Sequence, residues 1–184
     1  MSPDELAQKI TNCNNCSLAK SRRNAVVGEG DINSDILFIG EAPGENEDKL
    51  GRPFVGPAGE LLTKMLHKNN LDRSLIYITN VVKCRPQFNR DPLPDEVQAC
   101  AFWLNEQLKL IQPKIIVTLG RHALEKFLPG IGRISQVHGR LFKKGNYYVL
   151  PFYHPAACLH QISLLSEFEE DFEKLNDILN SINN

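Results

Sequence analysis

Short apolar runs alternate along the chain with longer stretches in which apolar residues recur every three or four positions. The runs predict strands at 35–39, 75–79, 114–119 and 147–150. Leu141 and Phe142 precede the turn at 143–146, which predicts a hairpin with the last of these strands. The run Asp35–Ile39 is almost continuously apolar. Such a run is typical of a strand that is buried on both faces of a parallel sheet.

Helical periodicity fills most of the chain between these strands. Helices are predicted to begin at Pro3, with Ser2 as the N-cap, and to occupy 57–70 and 94–111, with a short one ending at Leu128. The C-terminal stretch from Leu164 to Ile182 has apolar residues at helical spacing and an acidic outer face. The segment 41–56 is predicted to be a loop. Strands that alternate with helices indicate an α/β fold with a mainly parallel sheet.

Glycine and polar residues come directly after the predicted strands. They are Gly40 and Glu41, Asn80, Gly120, and His154. In an open α/β sheet, the carboxyl ends of parallel strands lie along one edge, and ligands bind in the crevice there. We therefore expect these residues to converge on one site.

The composition is that of an ordinary globular protein, with 184 residues of which 42% are hydrophobic and 23% are charged. We predict a single domain over residues 1–184. A net charge of −1 provides no general attraction to nucleic acid, so DNA binding requires a local basic patch. Every apolar run is far shorter than the ~18 residues of a membrane span, and no signal peptide is recognised. We expect a cytoplasmic protein with no membrane contact.

Five cysteines suggest a metal or cluster site. Cys13 and Cys16 are separated by two residues, which lets both sulfurs reach one metal ion or cluster, whereas Cys84 and Cys100 can join them only through tertiary folding. An odd number of cysteines argues against a disulfide framework. The spacing does not distinguish zinc from an iron–sulfur cluster, nor does it exclude Cys100 as a buried helix residue. Cys158 is predicted to be a packing residue.

Three side chains are candidates for a base-binding pocket. The Asn80 carboxamide offers donors and acceptors that suit an amide edge such as that of uracil, although an asparagine that caps a strand end is an equal alternative. Phe54 suits stacking on a base or anchoring of its own loop. His154 is followed by Pro155 and two alanines, which leave room for a ligand. The other histidines are assigned to the surface or to packing.

Four segments together resemble the iron–sulfur uracil-DNA glycosylases of family 4, the thermophile-type enzymes. They are the residues at 40–44, 51–59, 79–86 and 154–157, and the four cysteines follow that family's ligand order. The resemblance implies a three-layer α/β/α fold with a short, mainly parallel central sheet. It also implies a structural [4Fe–4S] cluster on Cys13, Cys16, Cys84 and Cys100. The activity implied is removal of uracil from DNA by hydrolysis of its N-glycosidic bond, which begins base excision repair.

The resemblance also implies roles for individual residues in the pocket. Phe54 is expected to stack on uracil, Asn80 to read its amide edge, and His154 to donate a hydrogen bond to O2. The backbone at Glu41 and Ala42 is expected to contact uracil and to help place the water.

The residue that positions the water is left open by the resemblance. Glu41, Glu47 and Asn89 are the polar candidates, and Glu47 and Asn89 also look like a pair that braces the pocket loops. No carboxylate stands at Ala42, where a related family carries an aspartate that holds the water.

Contacts with DNA are expected from the loops around the pocket. Leu159 is predicted to fill the gap that the flipped base leaves. Lys83 and Arg85 are predicted to contact phosphates, with Arg90, Arg121 and Arg140 as further members of a basic patch. His160 stands where the family often carries an arginine. The expected partners are double- or single-stranded DNA containing uracil and a replication clamp or polymerase, and a monomer is expected.

Two other interpretations remain at this point. One is a non-catalytic DNA-binding module of the same fold that is associated with replication. The other is a zinc site in an unrelated α/β protein. A base pocket argues against the first, because binding alone does not need one.

Overall fold

A computed structural model describes residues 1–182, so the last two residues of the predicted domain lie outside the described residues. The strands are β1 (Glu29–Gly30), β2 (Ile36–Gly40), β3 (Tyr77–Asn80), β4 (Ile115–Leu119), β5 (Phe142–Lys144) and β6 (Tyr147–Phe152). The helices are α1 (Pro3–Thr11), α2 (Glu45–Leu50), α3 (Pro57–Lys68), α4 (Pro94–Ile111), α5 (Arg121–Phe127), α6 (Ile134–Val137), α7 (Pro155–His160) and α8 (Ser163–Ile182).

The strands form one sheet in the order β1-β3-β2-β4-β6-β5. The four central strands are parallel, and the short outer strands β1 and β5 are antiparallel to their neighbours. Gly40 at the end of β2 is in register with Asn80 at the end of β3. Because the chain passes from β2 to β3 on one side and then to β4 on the other, the carboxyl edge near β2 is a topological switch point.

Alternation along β2 divides the core into two halves. Leu37 and Ile39 belong to a cluster that includes residues of α1 and α4, whereas Phe38 belongs to one that includes residues of α3 and α8. In the second cluster the rings of Phe38 and Phe172 stack with centroids 6.0 Å apart. The predicted α/β fold, with a mainly parallel sheet between two helical layers, is confirmed.

Several element boundaries follow directly from local sequence. Ser2 caps α1 and forms a capping box with Glu5, and α4 has the predicted bounds. β6 continues beyond its predicted end at Leu150, through Pro151 to Phe152. β5 pairs only with Tyr147, Tyr148 and Val149. Pro151 has no strand beside it on the β5 side, so its missing N–H costs no hydrogen bond there.

The prediction that 41–56 is all loop is wrong, because α2 occupies its middle. This helix has no apolar stripe, so hydrophobic periodicity does not reveal it. It begins after Gly44, whose N–H donates to Oε2 of Glu47 at 3.1 Å. Within residues 1–182, no helix has the combination of length and apolar character that crossing a bilayer requires.

Candidate active site

A cavity of about 620 Å³ lies at the carboxyl edge of the sheet. The loops that follow β2, β3 and β6 form its walls, as the positions of these strand ends predict. Gly120, after β4, was expected at the same site but is not among the residues that line the cavity. Eight residues that were predicted for the site line it: Glu41, Ala42, Glu47, Phe54, Asn80, Asn89, His154 and Leu159. Residues from widely separated parts of the chain therefore share one space.

Gly40 brings two of these side chains to the same point. A Cβ atom at this position would lie 2.4 Å from Oδ1 of Asn80 and 2.5 Å from Cζ of Phe54. Contacts this short do not occur in proteins, so a side chain here would displace the amide or the ring. The ring of Phe54 and the amide of Asn80 thus pack directly against the backbone of β2, and the slot for a ligand is the part of the cavity beside them.

The Phe54 backbone is held in a left-handed conformation with φ of 50°. Arg73 fixes this turn, because its Nη1 donates to the Phe54 carbonyl at 3.0 Å and its Nη2 donates to the Pro53 carbonyl at 2.6 Å. The same guanidinium is paired with Glu29 of β1 at 2.9 Å. The strained position of Phe54 is therefore set by contacts with its main chain.

Glu47 fastens the two loops that enclose the slot. Its Oε1 accepts hydrogen bonds from the N–H groups of Val55 at 2.9 Å and Gly56 at 3.0 Å. Its Oε2 accepts from the N–H of Gly44 in the loop after β2. Both carboxylate oxygens are thus engaged by main-chain donors.

Asn80 lies at the end of β3 and is only 2% exposed. Its main-chain carbonyl accepts from Nζ of Lys83 at 2.7 Å. Its side-chain Oδ1 has no hydrogen-bond partner in the structure. A buried acceptor without a partner costs free energy, so this oxygen is suited to a ligand that brings an N–H donor.

His154 immediately precedes α7 and acts as its N-cap. Its Nδ1 accepts a hydrogen bond from the N–H of Ala156 at 3.1 Å, so in the neutral imidazole the proton is on Nε2. Burial lowers the pKa of His154 to about 4, and the charge of Glu47 opposes this only in part. The imidazole is therefore a neutral donor near pH 7, with its ring centroid 5.7 Å from that of Phe54.

His122 was assigned to the surface or to packing, but it lies beside Glu41. Its Nε2 is 3.5 Å from Oε2 of Glu41 and 3.2 Å from Oδ2 of Asp91. Burial raises the pKa of Glu41, and the nearby His122 opposes this effect. Its position in the sequence could have indicated this, since His122 comes shortly after the end of β4 at Leu119, on the edge of the sheet where the site was expected.

Asn89 and Arg85 lie together at the rim of the cavity. Nε of Arg85 donates to Oδ1 of Asn89 at 2.8 Å, and Arg85 also approaches Glu45 at 4.0 Å. Asn89 is exposed and has φ of 54°. Leu159, which is 48% exposed, also lines the cavity.

The prediction that Lys83 contacts DNA is wrong. Its side chain is 1% exposed, and Nζ donates to Oγ1 of Thr79 at 2.6 Å as well as to the Asn80 carbonyl. Its neighbours Val82 and Cys84 are also buried, so this segment runs inside the protein. Lys83 supports the end of β3 from within.

The four cysteines of the predicted cluster line a second, small cavity. Nε1 of Trp103 donates to Cys13 Sγ at 3.1 Å, Nη1 of Arg22 to Cys84 Sγ at 3.0 Å, and the main-chain N of Lys83 to Cys100 Sγ at 3.3 Å.

Donors aimed at sulfur suit thiolate ligands, so the residues present fit a thiolate-bound metal group. Cys158 lies apart from them, buried in the core half that includes α8.

Comparison with known proteins assigns the family. The uracil DNA glycosylase superfamily model matches residues 27–180. A type-4 uracil-DNA glycosylase of Sulfurisphaera tokodaii is 46% identical, over 95% of this chain and 84% of that protein. One from Archaeoglobus fulgidus is 43% identical, over 95% of this chain and 92% of that protein. The chain belongs to the type-4 uracil-DNA glycosylases. The resemblance seen in the sequence is thereby confirmed.

Proposed function

We propose that this type-4 family member excises uracil from DNA, taking the flipped nucleotide into the cavity at the sheet edge. The convergence of Phe54, Asn80 and His154 on that cavity is the observation that carries the proposal. A phenyl ring, an amide and a neutral imidazole together provide what recognition and release of one pyrimidine require. Hydrolysis of the N-glycosidic bond leaves an abasic site and begins base excision repair.

Recognition of uracil uses the ring and the amide beside Gly40. Phe54 stacks on the face of the base, and the unpartnered Oδ1 of Asn80 accepts from N3–H. The amide NH₂ of Asn80 donates to O4. Cytosine presents an acceptor at N3 and a donor at the adjacent amino group, so the same amide orientation leaves both groups mispaired. Extrusion of the base from the helix costs roughly a few kcal/mol in unpairing and unstacking, as in other base-flipping enzymes.

Departure of the base is assisted by His154. As the bond to the sugar breaks, negative charge develops on uracil and is shared by O2. Nε2–H of His154 donates to O2 where that charge appears, and the hydrogen bond from Ala156 keeps the imidazole in the required tautomer. No proton is transferred from His154, because the leaving group is stabilised as an anion.

Among the three candidates for placing the water, Glu41 is best suited. Both oxygens of Glu47 accept main-chain N–H groups, and Oδ1 of Asn89 accepts from Arg85. Glu41 lines the cavity with His122 as its neighbour. We assign Glu41 to hold the water, whereas Glu47 and Asn89 position loops. Leu159 fills the gap in the duplex, and Arg85 contacts phosphate.

The test is incubation of the purified protein with an oligonucleotide that carries one uracil, followed by alkali. Strand cleavage at the uracil and free uracil in solution are expected from U:G, U:A and single-stranded substrates. The matched control replaces uracil with thymine. Tight binding without release of uracil would favour the non-catalytic DNA-binding module.

Gly40→Ala should block the slot while leaving the DNA-facing surface intact. The added methyl group must displace Asn80 or Phe54, so we expect kcat/KM for uracil release to fall about 10²-fold, the cost of a small misplacement of reacting groups. Gly130→Ala is the control for an added methyl group outside the cavity, because a Cβ there has open space around it. Its φ of +71° puts strain on the backbone, so its melting temperature is measured together with its kinetics, which should be unchanged. Unchanged kinetics in Gly40→Ala would mean that the base does not enter this slot.

We also propose that Cys13, Cys16, Cys84 and Cys100 hold a [4Fe–4S] cluster. The hydrogen bonds from Trp103 and Arg22 to the sulfurs support this assignment. Such a cluster would act structurally here, joining the end of α1, the segment after β3 and α4. The two-residue spacing of the first pair also suits zinc, and analysis of the metal in the purified protein distinguishes the two.

Cys84→Ala should lose the cluster and the folding free energy that comes from metal binding. The protein as isolated should be brown and contain iron and acid-labile sulfide, and the variant should be colourless with a clearly lower melting temperature. Cys158→Ala is the control, because Cys158 is buried away from the quartet and should retain full iron content. A colourless, zinc-containing wild-type protein would replace the cluster with a zinc site.

The proposed setting is the interior of the cell, where the substrate DNA is found. We propose that the chain acts as a monomer, since one chain supplies every residue assigned to the pocket. A replication clamp or polymerase remains a predicted partner. Co-elution of the purified protein with such a partner on a sizing column is the direct measurement.

A further inference from the structure

Phe88 is the residue that the proposed mechanism leaves unexplained. Its side chain is 95% exposed, although a phenylalanine is among the most apolar residues. It lies in the short 3₁₀ turn Gln87–Asn89, between the end of β3 and the start of α4. A ring of this size in open water has no packing role in the fold.

The backbone of Phe88 adds a second observation. Its φ is 56° and its ψ is 24°, the left-handed region that phenylalanine rarely adopts. Asn89 has φ of 54°, but asparagine tolerates this conformation. The turn is well held, because Asn89 N–H donates to the Pro86 carbonyl and Arg90 N–H donates to the Gln87 carbonyl. A strained residue kept in an ordered turn beside a binding cavity points to function.

The position of the turn indicates what the ring contacts. Pro86, Asn89 and Arg90 all line the uracil cavity, so Phe88 lies at its rim. A strand whose uracil enters this cavity has its next nucleotide at the rim, where Phe88 lies. Arg85, which is bonded to Asn89, adds positive charge near the backbone.

We propose that Phe88 stacks on the base next to the flipped uracil, on the same strand. This inference rests on the proposed function, because the neighbouring base is defined by the uracil in the cavity. Stacking covers an apolar ring that otherwise faces water, and every base has a face suited to it. The contact differs from that of Leu159, which fills the gap inside a duplex, because it operates on single-stranded DNA as well.

The first experiment compares Phe88→Asn with the wild-type protein. Asparagine tolerates the left-handed turn, so the melting temperature should be unchanged or higher. Binding to a uracil-containing single strand, measured by fluorescence anisotropy, should weaken about 5- to 150-fold, the range for loss of one base–aromatic stack. A 2′-fluorine on the uracil nucleotide slows cleavage during the measurement. Phe88→Tyr should bind like the wild type.

Leu75→Ala is the matched control. Leu75 is 63% exposed but precedes β3, at the opposite edge of the sheet from the cavity. It should leave DNA binding and uracil release unchanged. Equal DNA binding by Phe88→Asn and the wild type would overturn the proposal and point to a non-DNA role for the ring.

The second experiment removes the stacked base. Oligonucleotides with an abasic spacer on the 5′ or the 3′ side of the uracil are bound to both proteins. When the spacer is on the side that Phe88 contacts, the wild type and Phe88→Asn should bind with equal affinity, because the spacer has already removed the base on which the ring stacks. A difference that persists with both spacers would overturn the assignment to a neighbouring base. If the wild type released no uracil, the proposed activity would fail, yet these binding measurements would still decide the contact.

Discussion

His154→Ser is expected to slow uracil release about 10²- to 10³-fold, the typical cost of removing one donor from a developing anion. Serine is a good helix N-cap, so α7 keeps a partner for its first N–H groups. The fold and the melting temperature at pH 7 should therefore be nearly unchanged. The measurement is single-turnover release of uracil from a single-stranded oligonucleotide, which separates chemistry from release of product.

A histidine outside the site provides the control for this substitution. His67 is exposed on α3, and His67→Ser should retain wild-type rates. Wild-type rates in His154→Ser would remove the imidazole from the mechanism.

The pH dependence follows from the low pKa of His154. With a folded pKa of about 4, the neutral donor persists well below neutral pH, so its titration should cause no loss of activity between pH 8 and 6. The unfolded chain has a histidine pKa of about 6.5 and binds more protons between these values. This group therefore reduces the free energy of unfolding as pH falls from about 6.5 towards 4. His154→Ser should lose less stability across that interval.

Asn80→Asp is expected to reduce uracil release about 10⁴-fold, comparable to the discrimination of sites built around a specific hydrogen bond. The carboxylate places an acceptor against O4 of uracil, where the wild type has a donor. Shape and volume are conserved, so the defect comes from mispairing and not from loss of packing. Release of uracil under single-turnover conditions measures the effect.

An exposed asparagine provides the comparison. Asn105 lies on the solvent face of α4, so Asn105→Asp makes the same chemical change away from the cavity. It should retain the wild-type rate. If Asn80→Asp also kept most of its activity, the amide would not read the base, and recognition would have to depend on shape alone.

The site could be predicted from sequence because its position depends on strand ends. Each buried strand is a short apolar run, and parallel strands bring their last residues to one edge. Asn80 and His154 could therefore be placed together before any coordinate was known. The same reasoning placed Gly40 at this edge. The structure adds that the absence of a side chain there allows the Asn80 amide and the Phe54 ring to pack against the backbone.

Other features depend on tertiary contacts that local sequence does not encode. The side chain of Lys83 lies inside the protein because the whole segment around it is buried. A lysine in a predicted loop gives no indication of this burial. His122 lies beside Glu41 because β4 is the neighbour of β2 in the sheet, which strand order decides. The helix α2 lacks an apolar stripe, and the sign of its start is Glu47, whose carboxylate accepts a hydrogen bond from the N–H of the N-cap residue Gly44.

The hydrogen bonds of Glu47 and Arg73 to the loop that carries Phe54 affect the entropy cost of binding DNA. Because the ring is fixed by main-chain contacts in the free protein, little conformational freedom is left to lose when a base arrives. We therefore expect this loop to have nearly the same conformation in the free and the DNA-bound protein, so that most of the conformational change on binding occurs in the nucleic acid.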